Sequence, residues 1–89
     1  MITSASNKSI KNVQALLSKA KERKKQGVFV VEGPKMSFEA PYDWVSAVYM
    51  SESFFNDDRF KEEKNRFLDK TEIVSDSVFK SMSDTQTPQ

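Results

Sequence analysis

Hydrophobic residues near the N-terminus recur at the spacing of an α-helix. They share one stripe of a 3.6-residue period across residues 8–25, while lysines project from the opposite side. Asn is a favoured N-cap residue and Gly a common helix terminator, so we expect Asn7 to begin this helix and Gly27 to end it. The pattern predicts an amphipathic helix with a basic outer face, and its apolar stripe comprises Ile10, Val13, Leu16, Leu17 and Ala20.

Three short apolar runs are predicted to form strands. The first, residues 28–31, is β-branched and aromatic and directly follows the basic helix, which suits a buried strand. The second runs from Trp44 or Val45 to Met50, and the third covers residues 72–74.

Three further helices fit between and after these runs. Pro34 suits the first turn of a short helix that Pro41 ends. A longer helix is predicted over residues 57–68, and Ser75 or Asp76 is expected to cap the last one. The residues expected to face the core from these helices are Met36, Phe38, Ala40, Phe60, Phe67, Leu68, Val78, Phe79 and Met82.

Strands that alternate with helices indicate an α/β fold, here a small three-layer α/β/α sandwich with helices on both sides of a short sheet. Three short strands make a small sheet, and the chain ends at residues 87–89, where a further strand would be expected. The last strand of the domain is therefore expected to be missing. We expect residues 1–82 to form the domain and residues 83–89 to form a linker.

Composition excludes several classes of enzyme. The 89 residues fit one domain, which leaves little room for a large buried active-site cleft. The chain has no Cys and no His, which excludes a disulfide framework, a cysteine nucleophile, an imidazole base and the usual zinc sites. Two glycines cannot make a glycine-rich nucleotide loop. No apolar run resembles a secretory signal or a membrane span, so we expect a cytoplasmic protein with no membrane partner.

The charge is strongly polarised although the net charge is only +1. The first 25 residues hold seven basic residues and one acidic residue, Glu22, so this segment carries about +6 and the remainder about −5. A polyanion is expected to approach from the N-terminal side, because the field there is positive.

Several motifs, in this order and spacing, resemble the N-terminal substrate-binding domain of SpoU-type (TrmH-like, SPOUT superfamily) RNA ribose 2′-O-methyltransferases. They are the Ser-Ala-Ser-Asn-Lys-Ser-Ile-Lys run of residues 4–11, Arg23 at the basic helix end, the Phe-Val-Val-Glu-Gly-Pro-Lys run of residues 29–35, Glu39-Ala40, and the polar stretch of residues 74–89. The resemblance covers nearly the whole chain.

The resemblance implies a fold similar to ribosomal proteins of the L-thirty-e type, which recognise folded RNA. It also implies a parent enzyme that uses S-adenosylmethionine to methylate a ribose hydroxyl, usually in ribosomal RNA and sometimes in transfer RNA. The family's cofactor-binding and catalytic motifs lie in a knotted domain that these residues lack. This chain alone is therefore expected to be inactive and monomeric, without catalytic, cofactor or metal residues, while the parent enzyme is expected to be a homodimer.

Charge and resemblance together indicate the RNA-binding residues. Lys and Arg neutralise phosphates, and a guanidinium also stacks on unpaired bases, which makes Arg23 the strongest candidate. Glu32 and Gly33 are expected to form a structural turn, with Glu32 bonded to backbone N–H groups or to a basic side chain. The candidate RNA-binding residues are Asn7, Lys8, Lys11, Lys19, Arg23, Lys24, Lys25 and Lys35.

Some of these residues keep two interpretations. Asn7 either caps the helix or grips a phosphate together with Lys11 at the helix N-terminus, or does both.

The aromatic residues either stack on bases or fill the core, and a domain this small needs most of them inside, so at most one, Tyr42 or Phe55, is expected to be free. The aromatic residues considered are Tyr42, Trp44, Tyr49, Phe54 and Phe55. The acidic residues Asp57, Asp58, Glu62 and Glu63 lack calcium-loop spacing and are expected to form a solvated face.

A second class of function remains open. The alternative to RNA binding is a protein-interaction or adaptor module whose basic helix binds an acidic partner or packs against its own catalytic domain. Salt dependence separates the two hypotheses, because RNA binding releases counterions from the phosphates.

Overall fold

Six α-helices and a two-stranded parallel sheet make up the part of the chain that the structure describes, residues 1–84 of a computed structural model. The predicted α/β fold is confirmed. The elements are α1 (Lys8–Ser18), α2 (Ala20–Gln26), α3 (Pro34–Phe38), a 3₁₀ helix (Tyr42–Trp44), β1 (Val48–Ser51), α4 (Glu52–Asn56), α5 (Lys61–Arg66), a second 3₁₀ helix (Leu68–Lys70), β2 (Thr71–Val74) and α6 (Asp76–Asp84).

The predicted N-terminal helix is divided in two at Lys19. That residue has φ −128° and ψ 109°, an extended conformation that ends α1 and precedes α2. Gly27 ends α2 as predicted, in the left-handed conformation at φ 70° that glycine adopts without steric cost. Because the helix axis changes at Lys19, the predicted apolar stripe does not continue through Ala20, which is exposed.

The sheet consists of β1 and β2 in parallel register, from Val48 opposite Thr71 to Ser51 opposite Val74. A parallel pair requires a crossover connection, and α4 and α5 provide it. Ile2 forms an isolated parallel bridge to Val74 on the other side of β2, so the extreme N-terminus contributes to the sheet. The predicted third strand, residues 72–74, is thus confirmed, and the second is confirmed as the shorter β1.

The predicted buried strand at residues 28–31 is wrong. This segment has no strand structure, and Phe29 is 75% exposed. Its backbone groups are used by the neighbouring helices instead: the Val28 N–H donates to the Arg23 carbonyl at the end of α2, and the Val31 carbonyl accepts from the Ser37 hydroxyl of α3. A β-favouring sequence forms a strand only where a sheet edge receives it.

The core has two parts, one on each face of the sheet. Successive strand residues point to opposite faces, so Tyr49 packs into one cluster and Met50 into the other. The first cluster joins α1, β2 and α6 through Ile10, Val13, Val74, Val78 and Met82. The second joins α3, β1 and the end of α5 through Phe38, Met50 and Phe67, with half-buried Tyr42, Val45, Val48, Phe54, Phe55 and Phe60 around them. Helices therefore cover both faces of the sheet, as the sandwich prediction requires.

The helix predicted over residues 57–68 is shorter, because Phe60 adopts a left-handed conformation at φ 56°. Its ring is held in the second cluster, with centroids 5.5 Å from Phe38 and 6.2 Å from Phe54, and α5 begins only after it. At the other end Leu68 lies in a 3₁₀ turn and is half exposed, so its predicted place in the core is wrong. Met36 is also exposed, because the short α3 turns only Phe38 inward.

Asp76 begins α6 after Ser75, whose hydroxyl accepts a hydrogen bond from the Val78 N–H, which confirms the predicted cap. The helix continues through residues 83 and 84, the first two residues of the predicted linker, and the division between domain and linker stays a prediction. Residues 85–89, the rest of the predicted linker, lie outside the described residues. Within residues 1–84, no helix has the length and apolar character needed to cross a membrane.

Candidate nucleic-acid interface

The two N-terminal helices form a hairpin that carries seven of the 14 basic residues of the chain. The side-chain amides of Asn12 in α1 and Gln26 in α2 bond to each other, with the shorter contact at 2.9 Å. Further along, Arg23 of α2 reaches the last turn of α1. Since residue 12 meets residue 26 and residue 16 meets residue 23, α2 runs back along α1. We refer to residues 8–26 as the basic hairpin.

Arg23 closes the basic hairpin at the C-terminal end of α1. Its Nη1 donates to the Leu16 carbonyl at 2.6 Å and to the Leu17 carbonyl at 3.3 Å. The last carbonyls of a helix lack intrahelical partners and carry partial negative charge, so a guanidinium stabilises them. Arg23 thus has a structural role that sequence reasoning missed, and its contact with RNA stays a prediction.

The remaining basic residues of the hairpin are exposed and form no ion pair with an acidic residue in the part of the chain that the structure describes. Ion pairs in residues 1–84 join Asp57 to Arg59 and Lys64, and Asp58 to Lys61, and none of them involves the hairpin. Glu22, the hairpin's acidic residue, accepts a hydrogen bond from the Gln26 amide at 3.0 Å. The positive field of the hairpin is therefore uncompensated by ion pairs within the described residues. The exposed hairpin lysines are Lys8, Lys11, Lys19, Lys21, Lys24 and Lys25, of which Lys21 is an addition to the predicted set.

Asn7 is the N-cap of α1, as one of its two interpretations predicts. Its Oδ1 accepts from the Ser9 N–H at 2.8 Å. Lys8 and Lys11 follow it on exposed positions of the first turn of α1. The phosphate-gripping interpretation of Asn7 stays a prediction.

Glu32 and Gly33 directly precede α3, and the chain bends at Gly33. Gly33 has φ 91°, which favours glycine, and its carbonyl accepts from the Ser37 N–H. Pro34 occupies the first turn of α3, and Lys35 is exposed beside it. The expected hydrogen bond of Glu32 is not formed within residues 1–84, where its side chain is exposed.

The free aromatic residues differ from those predicted. The Tyr42 ring stacks on Phe67 at 5.8 Å, and its hydroxyl donates to Asp69, which raises the pKa of Tyr42. Phe55 is half-buried in the second cluster. Trp44 and Phe29 are the exposed ones, at 79% and 75%. Trp44 lies outside β1, and residue 29 lies in no strand, so neither ring is covered by packing on the sheet.

The predicted solvated acidic face is correct for Asp58 and Glu62 but wrong for Asp57. The Asp57 carboxylate accepts from Arg59 at 2.7 Å and from the buried Lys64 at 2.9 Å. These hydrogen bonds hold the pKa of Asp57 well below its usual range. No cluster of acidic residues suited to a metal occurs within residues 1–84.

A family model, the MRM3-like substrate binding domain, matches residues 7–89 and so includes the whole basic hairpin. The chain belongs to this family. The prediction that this chain is a substrate-binding domain is thus confirmed. Every candidate RNA-binding residue lies inside the matched range. No curated protein and no solved structure matches the chain.

Membership of this family indicates what the basic hairpin has to be compared with, which is the recognition of a substrate. Within residues 1–84, the hairpin is the surface that carries several exposed lysines and takes part in no ion pair. A surface of this kind attracts polyanions. The hairpin is therefore the candidate interface of the domain.

Proposed function

We propose that this MRM3-like domain binds RNA through the lysines of the basic hairpin. In this proposal it is the recognition part of an S-adenosylmethionine-dependent RNA ribose 2′-O-methyltransferase that acts on ribosomal RNA. The observation that supports it is the set of exposed hairpin lysines without carboxylate partners in residues 1–84. Phosphates supply the negative charge that the domain itself does not bring to this surface.

The contribution of this domain is binding and positioning. The cofactor and the methyl transfer belong, in this proposal, to a separate catalytic domain. A recognition domain that holds the target ribose near the methyl donor raises the rate through proximity and orientation. The domain by itself is accordingly expected to bind RNA without modifying it.

RNA binding by lysines makes a quantitative prediction about salt. Each phosphate that a lysine neutralises releases condensed counterions, so three to five such phosphates give a slope of log K against log salt of about −2 to −4. The affinity then falls about 16- to 250-fold between about 50 and about 200 mM salt.

The experiment measures fluorescence anisotropy of labelled ribosomal RNA stem-loops with the 89-residue chain across this salt range. The variant Lys24→Glu is expected to weaken binding to every RNA. It should also make the slope shallower by roughly one for each phosphate that the variant no longer neutralises. Lys61→Glu is the matched control, because Lys61 is an exposed lysine on α5, next to the opposite core cluster from the hairpin.

Two results would contradict the proposal. One is a slope near zero for the wild-type chain, and the other is an equal loss of affinity in the hairpin variant and in Lys61→Glu. Incubation with labelled S-adenosylmethionine and RNA is expected to transfer no label, and transfer would contradict the division between recognition and chemistry.

A further inference from the structure

Phe29 is an exposed aromatic ring directly after the basic hairpin. Its side chain is 75% exposed, whereas Phe38, Phe54, Phe60 and Phe67 pack on one another in the second cluster. Leaving a large apolar ring in water forgoes the stabilisation that burial would provide. A ring in this position is available to a partner without any rearrangement of the core.

The backbone on both sides of Phe29 is held in place. On one side the Val28 N–H donates to the Arg23 carbonyl at 3.1 Å, next to the left-handed Gly27 that ends α2. On the other side the Ser37 hydroxyl donates to the Val31 carbonyl at 3.3 Å. The neighbouring Val28 and Val30 are half-buried, so the segment presents Phe29 outward.

The residues that precede Phe29 in the chain carry positive charge. Lys24 and Lys25 are exposed in the last turn of α2, five and four residues before it. An extended chain of four residues spans at most about 14 Å, so the backbone of Phe29 lies within that distance of Lys25. Trp44, the other exposed ring, follows Asp43 directly and lies between Tyr42 and Val45, which pack on the second cluster, on the opposite face of the sheet from α1.

An exposed aromatic ring beside phosphate-binding cations is the arrangement by which proteins hold unpaired nucleotides, since every base has a face that stacks. We infer that Phe29 stacks on an unpaired base of an RNA whose phosphates bind the basic hairpin. This inference rests on the proposed function and narrows its substrate to RNA with an unpaired nucleotide at the bound site.

The test compares two RNA duplexes with the same number of phosphates, one with a bulge of unpaired nucleotides and one fully paired. The 89-residue chain is expected to bind the bulged duplex about 5- to 150-fold more tightly, the range that one stacked base contributes. Phe29→Ala is expected to bind both duplexes equally, with the salt slope of the wild type. Phe29→Trp is expected to keep the preference, and Trp44→Ala is the matched exposed-aromatic control that also keeps it.

A spectroscopic measurement adds a direct signal. Trp44 is the single tryptophan of the chain, so Phe29→Trp combined with Trp44→Phe places the only indole at position 29. Its fluorescence is expected to be quenched by the bulged duplex and not by the paired one.

Several results would overturn the inference: wild-type binding without preference, a preserved preference in Phe29→Ala, an equal loss in Trp44→Ala, or no selective quenching at position 29. Its failure is distinguishable from failure of the proposed function. If stacking alone is wrong, salt-dependent binding to both duplexes persists. If the proposed function is wrong, neither duplex binds even at low salt.

Discussion

Lys64 should be one of the most important side chains for stability, although it is charged. It is only 5% exposed, and its ammonium donates to the Phe54 carbonyl, to the Asp57 carbonyl at 3.0 Å and to the Asp57 carboxylate at 2.9 Å. The same ammonium lies 4.3 Å from the centre of the Phe54 ring. Lys64→Met keeps the apolar stem and removes the charge that joins α4 to α5.

The magnitude follows from the partners that lose their donor. A hydrogen bond to a charged group contributes about 1.5 to 3 kcal/mol, and the two carbonyls lose the ammonium together. Asp57 keeps Arg59 and solvent, which reduces the loss, so we expect about 3 kcal/mol in the free energy of unfolding. For a domain of this size that corresponds to a decrease in Tm of about 12 to 24 °C.

The assay is urea unfolding followed by circular dichroism, with Lys61→Met as the control. Lys61 pairs with Asp58, and their side chains are 73% and 93% exposed, so this change is expected to cost less than about 1 kcal/mol. If Lys64→Met and Lys61→Met unfold at the same urea concentration, the ammonium does not hold the two helices together and the reasoning is wrong.

Three further predictions concern Arg23, Asp57 and Phe67. Arg23→Ala should lower the free energy of unfolding by about 1.5 kcal/mol in urea titrations, because the last carbonyls of α1 lose their donor, whereas the exposed neighbour Lys24→Ala should change it by less than about 0.5 kcal/mol. The pKa of Asp57 is lower in the folded state than in the unfolded state, so its ion pairs stabilise the fold fully above a pH of about 4. This stabilisation is lost as the pH falls toward the folded pKa. The difference in stability between the wild type and Asp57→Asn should therefore be largest near neutral pH and become smaller in acid, as measured by unfolding titrations at each pH. Phe67→Ala removes a ring that is 1% exposed and stacked on Phe38 and should cost about 3 to 5 kcal/mol in thermal unfolding.

Each of these has a clear contrary result. Equal stabilities of Arg23→Ala and Lys24→Ala would mean that the guanidinium does not cap α1. A difference between wild type and Asp57→Asn that stays constant from neutral to acid pH would contradict the ion-pair account, and a loss below about 1 kcal/mol in Phe67→Ala would contradict its place at the centre of the core.

Local signals in the sequence predicted several elements correctly. The spacing of Ile10 and Val13 placed one face of α1 in the core, and Asn7 caps that helix. The residues that face inward from α6, Val78 and Met82, are also buried as predicted. These features depend on the periodicity of one helix or on bonds between near neighbours, and consecutive residues specify both.

Predictions failed where the answer depended on a distant partner. Residues 28–31 have strand composition but no strand: the Val28 N–H bonds to α2, the Val31 carbonyl bonds to α3, and no sheet edge receives the segment. Asp57 looks like a solvated acid in sequence but meets the buried Lys64 in space. The RNA contact of Arg23 stays a prediction, but its structural role was missed, because only the break at Lys19 brings its guanidinium to the carbonyls of α1.

The sequence by itself therefore determined the α/β class, the amphipathic first helix, the positive N-terminal charge and the substrate-binding family. Composition and the spacing of hydrophobic residues specify the first three properties, and the order of the motifs along the chain indicates the family, regardless of how the elements pack. Only the tertiary structure decided that Arg23 is a cap, that the hairpin lysines have no ion pair among residues 1–84, and that Phe29 and Trp44 are the exposed rings. The physical reason is that hydrogen bonds, ion pairs and burial depend on which groups meet in space, and residues far apart in the chain supply those groups.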